Sequence, residues 1–267
     1  MEFGICTLAV IPLRKEPSDK AEMTTQLLFG DLFEILQSSG PWLEIRNHYD
    51  GYIGWLDFKQ IHFLEEEDYT RLKGSPLYVN RRHNHDMVTY GVDRVFLPAG
   101  CSFYQDDDRK FRINDEEFDF QGMLHRFEYT NVTEILETAK SYLSCPYQWG
   151  GRTYMGIDCS GLTQSVYKQH GIKLLRDAKQ QSAQGELINL LSEGEPGDLA
   201  FFDHDDGVIA HVGILMDQGH VIHCSGKVRI DPVDHYGIYN TYLKRYTHAL
   251  RIIRRVLPGN PSHPAQD

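Results

Sequence analysis

The most reactive arrangement in the sequence is a cysteine at the predicted start of a helix. Cys159 lies in the run GIDCSG, after the glycine-rich turn WGG at residues 149–151 and before the helical pattern LTQSVYKQH. The positive end of a helix dipole favours a thiolate over a thiol, and the thiolate is the nucleophilic form. Cys159 is therefore a candidate nucleophile. The simpler interpretation, a buried structural cysteine, stays open on this evidence alone.

Two histidines in apolar runs supply the other groups that a cysteine nucleophile needs. His211 lies in AHVGI and His223 in VIHCS, and the intervening MDQG can turn the chain. Adjacent antiparallel strands would then place the two imidazoles side by side. A thiol needs a general base and the base needs an orienting group, which Cys159, His211 and His223 would provide in that order. Each histidine could instead be a core residue, or the three could ligate zinc, although no fourth ligand has a suggestive spacing.

The elements that must position these residues lie in residues 126–257. A helical pattern opens at residues 131–133, where Thr133 is a candidate cap, and Pro146 is expected to end it. A second helix is predicted from about Cys159 to Gln169. The runs GDLAFF, HVGILM, HVIHCS and HALRIIRRVL follow as strands. Helices first and strands after predict an α+β domain with an antiparallel sheet, and the proline-rich residues 258–267 are expected to be a disordered tail.

The residues upstream read as two small β domains. Residues 1–64 are rich in strand formers, with an alternating run from Trp42 and a hairpin turn at Asp50 and Gly51, which is typical of a small barrel. The polar residues 12–26 are predicted to be a long loop between the first strands. Residues 65–125 open with an acidic run and continue in short apolar runs separated by Gly and Asp, which indicates a second β domain with a weaker pattern.

Composition and charge limit the function classes. The chain has 267 residues, and the 41% that are hydrophobic argue against wholesale disorder. With 27 basic and 38 acidic residues the net charge is −11, which argues against a nucleic-acid partner. No run of about 18 apolar residues occurs, so we expect no membrane partner. The first residues, MEFGICTLAVIPLRKEP, do not have the pattern of a signal peptide, which predicts a cytoplasmic location.

The cysteine pattern points to individual thiols rather than to a framework. The five cysteines are odd in number and form no CxxC pair. This argues against disulfides and against a thiolate zinc site. We therefore expect no metal and no cofactor, and the sequence does not indicate an oligomeric state.

Several linked motifs carry a family resemblance over roughly residues 127–256. PYQWGG at residues 146–151 and DCSG at residues 158–161, followed in order by GDLAFF, HVGI and VIHCS, resemble the NlpC-type cell-wall peptidases. The resemblance implies a papain-like fold and hydrolysis of peptide bonds to D-glutamate or related units in peptidoglycan stems. It makes Cys159 the nucleophile, His211 the base and His223 the third polar residue. Cys224 stands where many relatives have alanine, and we expect it to be buried and inert.

The upstream regions extend the resemblance. EPSDKAEMTTQLLFGD and DGYIGW make residues 1–64 similar to a bacterial SH3-like domain, and residues 65–125 would be a second, more divergent one. Two such domains before an NlpC-type domain resemble the dipeptidyl-peptidase VI type of γ-D-glutamyl-L-diamino-acid endopeptidase. That type cuts between γ-D-glutamate and the diamino acid in murein peptides with a free N-terminal L-Ala, and acts in cell-wall peptide recycling.

The resemblance also assigns residues to the substrate amine. Tyr52 in GYIGW and an acid of the preceding loop would hold the ammonium group, with Glu22 the first candidate and Glu16 the alternative. A carboxylate and a phenolic oxygen suit an ammonium group because both accept hydrogen bonds from it. The simpler interpretations are a barrel aromatic for Tyr52 and a solvated loop acid for Glu22.

Further substrate contacts are expected around the nucleophile. Trp149 would form an apolar wall under the dipeptide, or else pack in the core. Asp158 and Ser160 flank Cys159, and Asp158 could equally be a helix cap. In LLRDAKQQS, Arg176 and Asp177 would face the dipeptide, with Arg176 or Ser160 donating to the α-carboxylate of γ-D-glutamate. These expected contacts are Tyr52, Glu22, Trp149, Asp158, Ser160, Arg176 and Asp177.

Two other functions remain open from the sequence. A papain-like scaffold can carry an amidase or acyltransferase activity, and a protein with SH3-like domains can bind the cell wall without catalysis. The joint presence of Cys159, His211 and His223 favours an enzyme. An oxyanion hole would use the backbone N–H of Cys159 and a second donor that the sequence does not identify.

Overall fold

The structure is a computed structural model that describes residues 2–83, 85–104, 110–114, 116–203 and 207–257. The predicted disordered tail, residues 258–267, lies outside the described residues. The predicted α+β fold class is confirmed, because two small β regions precede a region in which helices come first and an antiparallel sheet follows. Within the described ranges, no helix is both long and apolar enough to cross a membrane.

The first region is an antiparallel sheet that closes around its own core, and it is called the first barrel below. Its strands pair in the order β3-β2-β6-β5-β4-β1-β7. Alternate residues such as Ile11, Leu13, Ile45 and Leu56 point inward and are fully buried, as the two-residue period of a half-buried strand requires. The strands are β1 (Glu2–Ile5), β2 (Val10–Arg14), β3 (Met23–Leu28), β4 (Leu32–Ser39), β5 (Trp42–Asn47), β6 (Ile53–Asp57) and β7 (His62–Leu64).

The prediction of a long loop over residues 12–26 is wrong. Pro12 pairs with Gln26 in the β2–β3 hairpin, so that the loop spans residues 15–22 alone. The proline is tolerated because β2 meets its other neighbour, β6, at Arg14, and Pro12 needs no N–H on that side. The predicted hairpin between β5 and β6 is confirmed, with Gly51 in the left-handed region at φ 74°.

The second region packs two short sheets against the first region. The acidic run that opens it forms a helix that the sequence analysis did not predict, α1 (Glu66–Gly74), whose first turn carries three acids at the favourable end of the helix dipole. Phe103, Phe118 and Phe120 share one apolar core with Phe29 of the first region. The strands are β8 (Leu77–Asn80), β9 (Asp86–Tyr90), β10 (Asp93–Leu97), β11 (Ser102–Tyr104), β12 (Lys110–Ile113), β13 (Glu116–Gln121) and β14 (Leu124–Arg126).

The third region carries the predicted helices and the large sheet. The sheet order is β17-β23-β18-β19-β20-β21-β22. The elements are α2 (Val132–Ser141), β15 (Arg152–Thr153), β16 (Gly156–Ile157), α3 (Cys159–Lys168), α4 (Ala178–Gln181), β17 (Glu186–Ile188), β18 (Leu199–Asp203), β19 (His211–Leu215), β20 (His220–Ser225), β21 (Lys227–Asp234), β22 (Gly237–Asn240) and β23 (Arg245–Arg255).

The first helix of this region is capped earlier and ends earlier than predicted. Asn131, not Thr133, is the cap: its side chain accepts the N–H of Glu134 at 2.9 Å and donates to the Glu134 carboxylate at 2.8 Å. The reciprocal pair satisfies two groups of the first turn, which explains why Asn131 prevails. The helix ends at Ser141, before Pro146 is reached.

A buried charge cluster joins the three regions. The ammonium group of Lys168 at the end of α3 lies 2.9 Å from the carboxylate of Asp31 and donates to Ser102 at 2.8 Å. Arg152 donates to the other oxygen of Asp31 at 3.2 Å. All three charged side chains are fully buried. Because a buried charge that loses its partner is costly, this cluster holds the first barrel at one position against the third region.

Candidate active site

A cavity of about 940 Å³ lies between the first barrel and the third region. Its wall on the third region contains Cys159 at the start of α3 and His211 at the start of β19. Its wall on the barrel contains Glu22 from the β2–β3 loop and Tyr52 before β6. The other predicted site residues that line it are Trp149, Asp158, Ser160, Arg176 and Asp177. His223 lies directly behind His211.

The predicted helix start at Cys159 is confirmed. Asp158 is the N-cap of α3, and its Oδ1 accepts the N–H of Gly161 at 2.6 Å while its Oδ2 accepts the N–H of Gly150 at 2.8 Å. The helix-cap interpretation of Asp158 is confirmed, and the residue also lines the cavity. Cys159 follows as the first helical residue and is 6% exposed. The thiol is thus fixed at the edge of the cavity by a local capping motif.

The environment of the thiol opposes its ionisation at rest. Burial, and then the neighbouring Asp158 carboxylate, raise the pKa of Cys159 to about 12, although the backbone amides of Val212 and Ser160 and the Arg176 guanidinium favour the anion. The sequence predicted a thiolate, favoured by the helix dipole and held by an imidazole base. In this site burial and the Asp158 charge outweigh the backbone amides and the Arg176 charge. These surroundings favour the neutral thiol, which needs a base that can accept its proton.

The two histidines meet as the strand pattern predicts. β19 and β20 are adjacent and antiparallel, with Gly213 opposite His223, so that His211 and His223 are diagonal neighbours on one face. Nε2 of His211 lies 2.9 Å from Nδ1 of His223. Since Nε2 faces His223, the opposite nitrogen, Nδ1, is the one that can meet a thiol. The amide next to His211, that of Val212, lies against the thiol of Cys159.

Two side chains that were not predicted from the sequence flank the histidine pair. Asp231 on β21 accepts from Nε2 of His223 at 3.1 Å. Arg229 opposes His223 in the β20–β21 register, so Asp231 occupies the next diagonal position, which the run HVIHCSGKVRID could have revealed as a hairpin. The ring of His248 on β23 stacks on His211 at 4.3 Å between centroids. No local signal marks His248, because β23 is distant in sequence.

Tyr147 is a further residue of the cavity that the sequence analysis did not single out. Its side chain is 38% exposed and lines the cavity beside Cys159. Burial, and then the charges of Cys159 and Asp158, raise the pKa of Tyr147, so its hydroxyl stays protonated. A protonated phenol is a hydrogen-bond donor. Tyr147 therefore has the chemistry that the second donor of an oxyanion hole needs.

The barrel wall contributes acids and aromatic groups. Glu22 accepts the indole N–H of Trp149 at 2.7 Å and pairs with Lys15 at 3.5 Å. Tyr52 interacts with Thr24 and with Asp177, and burial, followed by the Asp177 charge, raises the pKa of Tyr52 to about 12. Burial also raises the pKa of Asp177. Of the two candidate loop acids, Glu22 is the one that lines the cavity.

Arg176 does not have the open position that a substrate donor needs. It is 1% exposed, and its Nη2 and Nη1 donate to the two carboxylate oxygens of Asp158 at 2.6 and 3.1 Å. Its Nη1 also donates to Ser160 at 3.0 Å and its Nε to Thr25 at 2.7 Å. The guanidinium fixes the cap of α3 and the Ser160 hydroxyl. The Ser160 hydroxyl in turn donates to Oδ1 of Asp158 at 3.3 Å, so both side chains belong to the network around the cap.

The glycine-rich turn explains how the barrel approaches the nucleophile. Gly150 adopts φ 76°, and a Cβ at this position would lie 2.5 Å from the carbonyl oxygen of Met23 in β3. Only glycine combines this conformation with so close an approach of two backbones. The turn therefore brings Trp149 against the barrel loop.

Cys224 and the zinc alternative are the two remaining predictions for this cavity. Cys224 is buried as predicted, and its thiol donates to the carbonyl of Ile157 at 3.2 Å. Within the part of the chain that the structure describes, no group of three or more His, Cys, Asp or Glu side chains is arranged to hold a metal ion.

Comparisons with known proteins agree with this architecture. Residues 144–251 match the NlpC/P60 family, and residues 13–61 match the bacterial dipeptidyl-peptidase Sh3 domain. The chain is 30% identical to a gamma-D-glutamyl-L-lysine dipeptidyl-peptidase of Bacillus cereus, over 89% of this chain and 76% of the relative. It is 32% identical to dipeptidyl-peptidase 6 of Lysinibacillus sphaericus, over 83% of this chain and 88% of the relative.

The fold has a solved counterpart. The crystal structure of an NlpC/P60 family protein from Bacillus cereus ATCC 10987 superposes with a TM-score of 0.78 at 21% identity, covering 96% of this chain and all of that chain. At this identity the likeness shows the fold. It extends over the two β regions as well as the sheet that carries the histidines.

Proposed function

The chain belongs to the NlpC/P60 family of cysteine peptidases, and from this premise we propose that it cuts the bond between γ-D-glutamate and a diamino acid in free peptidoglycan stem peptides. The observation that carries the proposal is the composition of one cavity. Cys159 and the His211–His223 pair stand on one wall, and Glu22, Tyr52 and Asp177 stand towards the barrel. Three relatives that match over most of the chain are named as dipeptidyl-peptidases, two of them as gamma-D-glutamyl-L-lysine dipeptidyl-peptidase.

The proposed reaction begins with the neutral thiol. Nδ1 of His211 accepts the proton of Cys159, and the sulfur attacks the γ-glutamyl carbonyl carbon. The tetrahedral oxyanion is stabilised by the backbone N–H of Cys159 and the hydroxyl of Tyr147. As the C–N bond breaks, His211 returns the proton to the amine of the diamino acid, which leaves a thioester. A water molecule that gives its proton to His211 then releases L-Ala-γ-D-Glu and restores the thiol.

The proposed selectivity lies at the barrel wall. A free L-Ala ammonium would meet the carboxylates of Glu22 and Asp177 and the hydroxyl of Tyr52. An acylated amine offers no positive charge there and would leave these acids without a partner. A site built around a polar partner rejects the analogue that lacks it, because desolvated groups are left unpaired. The indole of Trp149 supplies the apolar floor beside this group.

The α-carboxylate of γ-D-glutamate needs a separate donor. The Arg176 guanidinium is committed to Asp158, Ser160 and Thr25. The Ser160 hydroxyl donates to Asp158 at 3.3 Å. We therefore assign the carboxylate to Lys179, whose ammonium-bearing side chain lines the same cavity from α4.

The proposed setting follows from this selectivity. Stems that are still attached to glycan have an acylated L-Ala amine, whereas turnover peptides have a free one. We accordingly propose that the enzyme acts in the cytoplasm on murein peptides during cell-wall recycling.

Hydrolysis of defined peptides tests the proposal. The purified chain is incubated with L-Ala-γ-D-Glu-L-Lys, with its meso-diaminopimelate counterpart and with N-acetylated forms of both. The products are then identified by mass spectrometry. We expect L-Ala-γ-D-Glu and the free diamino acid from the unblocked peptides, with much slower cleavage of the blocked ones. A cut at another bond, transfer to an added amine, or binding without turnover would reject the proposal in favour of an amidase, an acyltransferase or a wall-binding protein respectively.

A further inference from the structure

We propose that Asp231 is a positioning residue whose carboxylate sets the protons on His223 and His211, so that His211 presents an unprotonated Nδ1 to the thiol of Cys159. This inference rests on the proposed cysteine-peptidase chemistry and adds a fourth member behind the three residues that the motifs indicate. Asp231 does not belong to the cavity lining. It therefore acts through the histidines rather than on the substrate.

The sheet builds the chain of contacts across three neighbouring strands. His211 stands on β19, His223 on β20 and Asp231 on β21, each diagonal to the next. The contacts are 2.9 Å from Nε2 of His211 to Nδ1 of His223, and 3.1 Å from Nε2 of His223 to Oδ2 of Asp231. The three side chains are between 1% and 5% exposed. Water is therefore kept from these bonds, and each strand fixes its side chain.

In this relay of Asp231, His223 and His211, the carboxylate of Asp231 determines which ring nitrogen of each histidine carries the hydrogen. An ionised carboxylate only accepts hydrogen bonds, so Nε2 of His223 must carry a hydrogen. Nδ1 of neutral His223 then accepts, and Nε2 of His211 must donate to it. The hydrogen of neutral His211 is thereby placed on Nε2, which leaves Nδ1 able to accept. A neutral thiol, as the burial of Cys159 favours, depends on this arrangement more than a preformed thiolate would.

The surroundings of Asp231 keep it ionised. Arg229 donates from Nη2 to its second oxygen, Oδ1, at 2.7 Å. Burial raises the pKa of Asp231, but the bonds from His223 and Arg229 outweigh it and the net shift is downward. The other titratable ring packed on the relay is His248, stacked on His211.

The substitution Asp231→Asn should exchange the donors and acceptors of these hydrogen bonds while keeping the shape of the side chain. The Arg229 guanidinium can only donate, so the new carboxamide would turn its oxygen to Arg229 and its NH₂ group to Nε2 of His223. His223 then carries its hydrogen on Nδ1, and His211 carries its hydrogen on Nδ1 as well, facing the thiol. We expect kcat to fall roughly 10²- to 10³-fold with little change in KM, as expected when an orienting carboxylate becomes an amide.

A second substitution distinguishes proton placement from structural support. In Arg229→Met/Asp231→Asn the competing donor is gone, and the amide can turn its oxygen to His223. We expect at least a tenfold gain in kcat over Asp231→Asn. A merely structural role predicts that the double variant is no better, because it removes two packed groups. Asp217→Asn is the matched control, since Asp217, in the turn between β19 and β20, forms an exposed pair with His220 at 3.0 Å.

Two measurements do not depend on peptide hydrolysis. Alkylation of Cys159 by iodoacetamide, located by peptide mapping, should be slowed near neutral pH in Asp231→Asn and unchanged in Asp217→Asn. In the unmodified chain, ¹⁵N NMR of labelled histidines, assigned with His→Gln variants, should show both His211 and His223 as Nε2–H tautomers. The NMR measurement stands even where Asp231→Asn does not fold.

The outcomes separate this inference from the proposed function. Wild-type kcat and alkylation in Asp231→Asn, no gain in the double variant, or an Nδ1–H tautomer of His223 would each overturn the role of Asp231. Failure of the wild-type chain to cleave any of the four peptides would overturn the proposed function, while alkylation and NMR would still decide the proton order.

Discussion

The two walls of the cavity differ in how they hold their polar groups. On the wall of the large sheet, His211 and His223 are 5% and 1% exposed and are joined by short contacts between neighbouring strands. On the barrel side, the Glu22 side chain is 42% exposed and Trp149 is 59% exposed. Proton transfer needs fixed and desolvated groups, whereas capture of a charged substrate end needs access. Under the proposed function, proton transfer would therefore depend on the sheet wall and capture of the substrate amine on the more exposed barrel side.

Cys159→Ala is expected to have the largest effect, with turnover lost and peptide binding retained. Without the sulfur no thioester can form, so kcat should fall by at least roughly 10⁴-fold. Calorimetric binding of L-Ala-γ-D-Glu-L-Lys should persist, because the barrel wall is intact. Cys101→Ala, a buried cysteine of the second region, is the control and should keep near-wild-type turnover. Measurable hydrolysis by Cys159→Ala at near-normal rates would break the assignment of chemistry to this wall.

The contact between the first barrel and the third region depends on the buried carboxylate of Asp31. Asp31→Asn leaves Lys168 and Arg152 with buried charges, and we expect a loss of about 3–5 kcal/mol in the free energy of unfolding. Burial raises the pKa of Asp31, but the Lys168 and Arg152 charges outweigh it and the net shift is downward. Its contribution is therefore complete above about pH 4 and lost as the pH falls further, a loss that Asp31→Asn should abolish.

Urea unfolding between pH 2 and pH 7 measures this effect. Asp57→Asn, which removes an exposed pair with Lys59 in the same barrel, should change stability by less than about 1 kcal/mol. Equal effects of the two substitutions would contradict the role of the buried cluster.

Tyr147→Phe tests the hydroxyl group proposed to stabilise the oxyanion on the wall that carries Cys159 and His211. Loss of one oxyanion donor should lower kcat roughly 10²-fold and leave KM nearly unchanged. Tyr242→Phe, at an exposed tyrosine, is the control for loss of a hydroxyl group. Steady-state kinetics on the unblocked tripeptide decide the matter, and a change confined to KM would move Tyr147 to the recognition side.

The smallest effect is expected on the barrel wall. Glu22→Gln removes one partly exposed carboxylate, so KM for the unblocked tripeptide should rise roughly tenfold while kcat is kept. The preference over the N-acetylated tripeptide should shrink in parallel. Glu16→Gln changes the other acid of the same loop and should leave both values unchanged. If Glu16→Gln has the larger effect, the acid was assigned wrongly.

Local sequence was sufficient where the contacts are local. The start of α3 at Cys159 follows from a capping residue and an apolar helical pattern within a few positions. The His211–His223 contact follows from two alternating strands joined by a short turn. Asp231 could have been found by extending the same reasoning to β21. By contrast, the loop predicted over residues 12–26 was wrong, because proline and charge outweighed the alternating apolar residues in that interpretation.

The amino-acid sequence was enough to predict the fold class, the helix start at Cys159 and the contact of His211 with His223, since their signals lie within single elements and hairpins. Only the packing of distant segments sets the ion pair of Arg176 with Asp158, the stacking of His248 on His211 and the burial that raises the pKa of Cys159. It also decided that Asp31 meets Lys168 across 137 positions of the chain. The physical reason is that burial and charge pairing depend on which distant segments exclude water from a group, and no local pattern encodes that.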